Sequence, residues 1–168
     1  MFIDESGVNQ DMVRLYGRSE VGKRANGEKP CSRGTRTTII SGLNLSGMVG
    51  SFIFEGYLNL EILLIYLSEV LLPELKAGTV IFMDNLSAHK SPRVEELVNS
   101  WGCKVDYIPR YSPEFNPIEL SWSKIKNYIR AKTPRTLQEV QITIGEAINL
   151  ITISDSKNFF KHCGYFAN

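Results

Sequence analysis

Residues 79–89, TVIFMDNLSAH, constrain the fold more than any other stretch of this chain. Val80–Met83 is an unbroken apolar run closed by turn-forming residues, the pattern of a strand buried on both faces of a sheet. It ends at Asp84 and Asn85, so a carboxylate meets the end of the strand. Open α/β sheets gather ligands and chemistry at that edge. A turn role for Asp84 is the plain alternative, because Asp and Asn favour turns through local hydrogen bonds. Two further carboxylates, one on each side in sequence, weigh against it.

The flanking segments supply the rest of a sheet. Phe2-Ile3 leads into Asp4-Glu5-Ser6-Gly7, a short strand ending in a carboxylate and a glycine turn. Residues 17–35 are rich in glycine and charge and read as a mobile loop or irregular ribbon. Residues 37–43 and 48–54, joined by a turn at 44–47, predict a hairpin. Asn59 caps a helix in which Leu60, Leu63, Leu64, Leu67 and Leu71 recur at helical spacing, ending at Ala77-Gly78. Its other faces are also apolar, which predicts deep burial or a subunit contact. Ser91-Pro92 opens a second helix, with Val94, Leu97, Val98 and Trp101 as its stripe and Gly102 as its stop. A strand over 104–109 follows. Asn116-Pro117 then starts a third helix, with Ile118, Trp122, Ile125 and Ile129 on one face. Thr136 and Glu139 form a capping box for a fourth, and a tail helix is expected over 157–163.

This order predicts an α/β fold: a mixed sheet flanked by helices, with hairpin strands at one edge and parallel strands joined through helices. In it Asp4 and Asp84 end neighbouring strands, and the helix bearing Glu119 crosses the same edge. One domain over 1–168 is expected, with a core of about 1–130 and a helical extension of about 135–163.

The 168 residues are 43% hydrophobic, with no apolar run long enough to span a membrane and no signal-peptide pattern at the N-terminus. Cys31, Cys103 and Cys163 are odd in number and form no CxxC pair, which argues against a zinc ribbon or disulfide framework and for a reducing cytoplasm. Net charge is only +1, but basic residues cluster. Arg14, Arg18, Lys23, Arg24, Lys29, Arg33 and Arg36 crowd one segment; Lys124, Lys126, Arg130, Lys132 and Arg135 crowd another. Phosphate binding needs such local positive surface, although an ordinary solvated face has the same composition.

Three converging carboxylates repel one another unless a cation fills the gap. A hard-oxygen set without His or Cys selects Mg²⁺ or Mn²⁺. Two such ions activate a hydroxyl or water and stabilise the leaving oxygen of a phosphodiester. Each member has a rival reading. Asp4 is also a turn residue, with Glu5 as the alternative ligand. Glu119, three after Asn116, also suits a helix cap. His89 either contacts a phosphate or packs. Tyr111, Ser112, Pro113 and Phe115 have a plain reading as no more than a rigid loop under the third helix.

FIDESGV, FMDNLSAHK and YIPRYSPEFNPIELSWSKIK resemble the three catalytic blocks of DDE transposases, and more narrowly those of the mariner superfamily and its bacterial insertion-sequence relatives. The third block is the most distinctive. Glu119 follows Asp84 with 34 residues between them, a spacing that superfamily uses. The resemblance covers about residues 1–130. It implies a ribonuclease H-like (integrase-type) fold and a catalytic, metal-binding triad of Asp4, Asp84 and Glu119, holding two Mg²⁺ or Mn²⁺ ions. It gives Asn85, His89, Asn116 and Pro117 supporting roles. Arg110, Lys124, Lys126 and Arg130 are the candidate DNA contacts. The implied reaction is cleavage at transposon ends followed by strand transfer into target DNA. A homodimer is expected, in a nucleoid-associated cytoplasmic setting. No helix-turn-helix pattern precedes Asp4, so end recognition is expected from a separate helix-turn-helix polypeptide or from a lost upstream region, unless the chain is a truncated copy.

Three other readings compete. One is a stand-alone nuclease of the same fold. Another is an inactive remnant that serves DNA contact or dimerisation. The third is a phosphatase of the haloacid dehalogenase type, which wants a second Asp two residues after the first, where Ser6 stands.

Overall fold

The run Val80–Met83 forms strand β4 of a five-stranded sheet in the computed structural model, which describes residues 1–85 and 90–165. The other strands are β1 (Phe2–Val8), β2 (Thr37–Asn44), β3 (Gly47–Glu55) and β5 (Lys104–Tyr107), in the spatial order β3-β2-β1-β4-β5. β1, β4 and β5 run parallel, whereas β2 and β3 are antiparallel additions at one edge. The hairpin and the mixed sheet are those the residue pattern predicts. Residues 14–35 carry no helix or strand, and almost all of them are exposed.

Alternation along the strands divides the apolar residues between two cores. On one face Phe2, Val8, Ile39 and Leu43 meet helices α3 (Pro117–Lys132), α4 (Leu137–Asn149) and α5 (Ile153–His162). On the other, Ile3, Ile40, Ile81 and Met83 meet α1 (Leu60–Ile65), the helical turns after it and α2 (Pro92–Ser100). β4 is therefore covered on both faces. Phe82 stacks on Phe2 with ring centroids 5.0 Å apart, while Val80 at the start of the strand remains 36% exposed. Val140, Ile144, Ala147 and Phe160 lie in the same core as Phe2, so α4 and α5 complete the sheet's cover rather than extend from it.

Several boundaries differ from the sequence expectation. The first helix passes into a π turn (Tyr66–Leu71) and a short 3₁₀ turn (Leu72–Glu74), three residues before the expected stop. Pro73 lacks the N–H needed to continue an α-helix. The π turn lets Leu71 press on β3 at Gly50, where φ is +57° and an added Cβ would stand 3.0 Å from the Leu71 side chain. Trp101 leaves its predicted stripe: it caps α2 and is 43% exposed. β5 ends at Tyr107 rather than 109.

α5 begins four residues earlier than expected, because Thr152 and Asp155 form a second capping box. The Thr152 hydroxyl accepts from the Asp155 N–H at 3.1 Å, and the Asp155 carboxylate accepts from the Thr152 N–H at 2.8 Å. Lys124 of α3 donates to the same carboxylate at 2.7 Å and to the Leu150 carbonyl at 3.1 Å. These bonds hold Asp155 down at about 2. Thr152→Ala is expected to lower stability by about 0.5–2 kcal/mol, the cost of a lost N-cap, without changing the slope of urea unfolding. Urea titration of both proteins checks this; an unchanged midpoint would show that the box adds nothing.

Candidate active site

β1 and β4 are parallel and paired at Phe2 and Phe82, so two residues further along both chains Asp4 stands level with Asp84. Asp84 is the first residue past β4, as the pattern predicts. Asp4 is not at a strand end: β1 continues four residues beyond it, paired with β2 through Val8. The correction has a simple cause. Ser6 and Gly7 keep extended backbone because the long neighbour β2 supplies ladder bonds to the end of β1. Alternation then sends Asp4 and Glu5 to opposite faces.

Asp4 turns toward α3. The Trp122 indole N–H donates to Asp4 Oδ2 at 3.0 Å. Trp122 lies one helical turn after Glu119, so both project from one side of α3. Asp4, Asp84 and Glu119 line one cleft of ≈ 420 Å³, together with Asn85, Asn116 and the 108–113 loop. Glu5 is not among the lining residues. The electrostatics agree with that convergence. Burial first, then the Glu119 and Glu5 charges, push the Asp4 carboxyl up to about 8; its bonds from the Glu5 N–H and Trp122 oppose the rise.

Glu119 does not close a helix cap. Its N–H donates to the Asn116 carbonyl at 3.1 Å, but Asn116, the cap residue, makes no side-chain capping bond. Pro117 fills the first helical position, where a missing N–H costs nothing, and is buried. Asn116 is 4% exposed, and its Oδ1 is buried without a hydrogen-bond partner. Asn85 Oδ1 is in the same condition. Two orphaned amide oxygens in a carboxylate cleft point to a donor or cation bound there. His89, a sequence candidate, lies outside the described residues.

The basic candidates separate. Arg110 is exposed and lines the cleft. Lys126 is half-buried two turns after Glu119; burial draws its ammonium below the usual lysine range, against the pull of Glu119 and Asp4. Arg130 is half-buried one turn further on and bonds Asn127 Oδ1 at 3.1 Å. Lys124 has a different role from the DNA contact expected of it. Its ammonium joins α3 to the start of α5 through Asp155 and Leu150, as described above.

Sequence reasoning assigned Trp122 only to the apolar face and so missed its bond to Asp4. The signal was its position three residues after Glu119. It read Tyr111 only as part of a rigid loop and missed its exposed place at the rim. Tyr111 sits at φ +58°, in the left-handed region, and is 98% exposed beside the cleft. Such strain in a non-glycine residue is often stored at functional sites. The Tyr165 hydroxyl donates to the Phe115 carbonyl at 2.9 Å, and so holds the short turn between Pro113 and Asn116, both of which line the cleft.

All the carboxylate donors are hard oxygens, which suits Mg²⁺ or Mn²⁺. Among the described residues no three His, Cys, Asp or Glu side chains already form a closed coordination set. The carboxylates line one cleft without gripping a point in it.

The sequence profile of the family described as DDE superfamily endonuclease matches residues 1–141. Comparison with solved structures finds a pre-cleavage Mos1 transpososome at 14% identity and a TM-score of 0.75, covering 97% of this chain and 51% of that one. A Mos1 strand transfer complex matches at 15% identity and a TM-score of 0.68, covering 97% and 50%. The Mos1 transposase catalytic domain with Raltegravir and Mg matches at 14% identity and a TM-score of 0.68, covering 96% and 76%. At these identities the likeness shows the fold, and the chain spans about half the length of the Mos1 chains in the first two. Comparison with curated protein sequences finds no match.

Proposed function

This chain belongs to the DDE superfamily endonucleases, and from that premise we propose that it is the catalytic domain of a transposase, cutting DNA at transposon ends and transferring the cut strand into target DNA. One observation carries the reading: Asp4 on β1, Asp84 just past the adjacent parallel strand β4, and Glu119 in the first turn of α3, which packs on β1, line a single cleft. Mg accompanies the Mos1 catalytic domain in one structure of the same fold. Here Asp4, Asp84 and Glu119 would hold two Mg²⁺ or Mn²⁺ ions. Such ions sharpen an attacking hydroxyl or water and stabilise the leaving oxygen of a phosphodiester.

The protein's own residues prepare that cleft. The Trp122 N–H fixes the orientation of Asp4, as an outer partner of a metal ligand does. The Asn85 and Asn116 amides stand ready as oxygen donors or as partners of bound water. Arg110 at the rim and Lys126 beside Glu119 place positive charge where a DNA backbone would lie. The partners in this reading are DNA, a second copy of the chain and a helix-turn-helix module for end recognition, on the same or a separate polypeptide.

A plasmid-nicking assay tests the proposal. Nicking is expected with Mg²⁺ or Mn²⁺, and EDTA should abolish it without any need for Zn²⁺. Nicking that survives EDTA would exclude the carboxylate cleft as the site. Cutting of paired ends without joining would reassign the chain as a stand-alone nuclease.

A further inference from the structure

Arg36 immediately precedes β2, at the same end of the sheet as the cleft. Its guanidinium is held from two sides. Beneath it lies Gly7 of β1, where an added Cβ would overlap Cζ and both Nη atoms. Above it lies the Tyr57 ring, with Cζ 4.7 Å from the centroid. The turn that folds Tyr57 back is itself pinned. The Gly56 N–H donates to the Arg36 carbonyl at 2.8 Å, and the Thr38 hydroxyl donates to the Gly56 carbonyl. Gly56 adopts φ +96°, a conformation that favours glycine. Among the described residues the guanidinium makes no hydrogen bond or ion pair, and its Nε is buried without an acceptor.

A guanidinium held in place with no partner among the described residues is a costly arrangement unless an anion completes it. Stacking on Tyr57 leaves the Nη edge free for the paired N–H bonds that a phosphate accepts. Lys126 lies within electrostatic reach of Arg36 and also of Glu119 and Asp4, so Arg36 and the cleft share one positively charged neighbour. We propose that Arg36, seated between Gly7 and Tyr57, is a binding site for a backbone phosphate of DNA flanking the phosphodiester to be cut. The proposal rests on the reading of the cleft as a DNA-cleaving site. A structural role also exists: Glu5 shares the strand face of Gly7, and Arg36 would then only offset its charge.

The experiment is fluorescence anisotropy of a short labelled duplex of arbitrary sequence, in EDTA, over a series of salt concentrations. The full chain is compared with Arg36→Gln, Arg36→Lys and Gly7→Ala, each checked by thermal melting. Arg36→Gln is expected to weaken binding roughly 10-fold and to reduce the slope of log K against log salt by about 0.9, one phosphate contact. Gly7→Ala keeps every charge and an ordinary strand residue but displaces the guanidinium, so it should lose affinity similarly. Arg36→Lys should fall between, having charge without the planar fork. If Arg36→Gln fails to fold, Gly7→Ala carries the test alone. Parental affinity and slope in the folded variants would overturn the proposal, as would a lowered melting temperature with unchanged DNA binding. Loss in Arg36→Gln alone, with Gly7→Ala at the parental level, would overturn the seat. A parent chain that binds no DNA would overturn both this site and the reading it rests on, whereas parental binding with unaffected variants overturns the site alone.

Discussion

Asp4→Asn should cut DNA at least ~10²-fold more slowly than the parent, since even outer partners of a metal site cost that much, while making the metal-free protein more stable at pH 8. Burial and the neighbouring Glu119 and Glu5 charges raise the Asp4 carboxyl from 3.8 to about 8 in the folded chain. A raised carboxyl pKa favours folding only while the group is protonated. That contribution is complete below about pH 4 and is lost as pH rises through about 8. The parent should therefore lose stability across this window by up to ~1.4 kcal/mol per pH unit, and Asn, which stays neutral, should remove that slope. Bound Mg²⁺ or Mn²⁺ should restore the parent at pH 8 far more than the variant, because a ligand stabilises only the state that binds it. Urea unfolding from pH 4 to 9 in EDTA and in Mn²⁺, with a nicking assay, reads every part of this. A variant that nicks at the parental rate would remove Asp4 from the catalytic set. Parallel pH profiles would show that folding does not raise the Asp4 carboxyl.

The second large effect is at Trp122, which is 2% exposed in the α3–α5 core and donates to Asp4 Oδ2. Trp122→Ala removes the largest buried side chain and should cost ~3–5 kcal/mol, a large share of the ~5–15 kcal/mol that holds a domain of this size. Trp122→Phe keeps most of the ring and loses the donor. It should cost much less in urea, yet move the alkaline fall in metal-free stability to higher pH, because a bond that favours the Asp4 anion is gone. Its cleavage rate should fall as the carboxylate loses orientation. Trp122→Phe with parental cleavage and an unmoved pH profile would leave Trp122 as a packing residue only.

Much of this molecule was legible in the order of its residues, for local reasons. Val80–Met83 reads as a covered strand because its apolar run is short and closed by Asp84 and Asn85. The hairpin, the Asn59 and Ser91 caps and the Thr136–Glu139 box depend on groups a few residues apart, and each formed where expected. The chance that three distant acids meet was also legible, since adjacent parallel strands bring Asp4 level with Asp84.

What the tertiary structure alone decided are relations between distant atoms. Local pattern ended β1 near Asp4, but pairing with β2 carries it to Val8, and that length separates Asp4 from Glu5 by face. Helical spacing placed Trp122 in the core, but only the approach of α3 to β1 turns its N–H onto a carboxylate 118 residues away. Composition read Lys124, Lys126 and Arg36, in two separate clusters, alike as basic surface. Packing gave Lys124 to Asp155, left Lys126 beside the cleft, and laid Arg36 across the space where Gly7 has no side chain. Periodicity and caps are set by bonds within a few residues. Charge pairing, orientation and pKa are set by whichever distant groups the fold brings within a few ångströms.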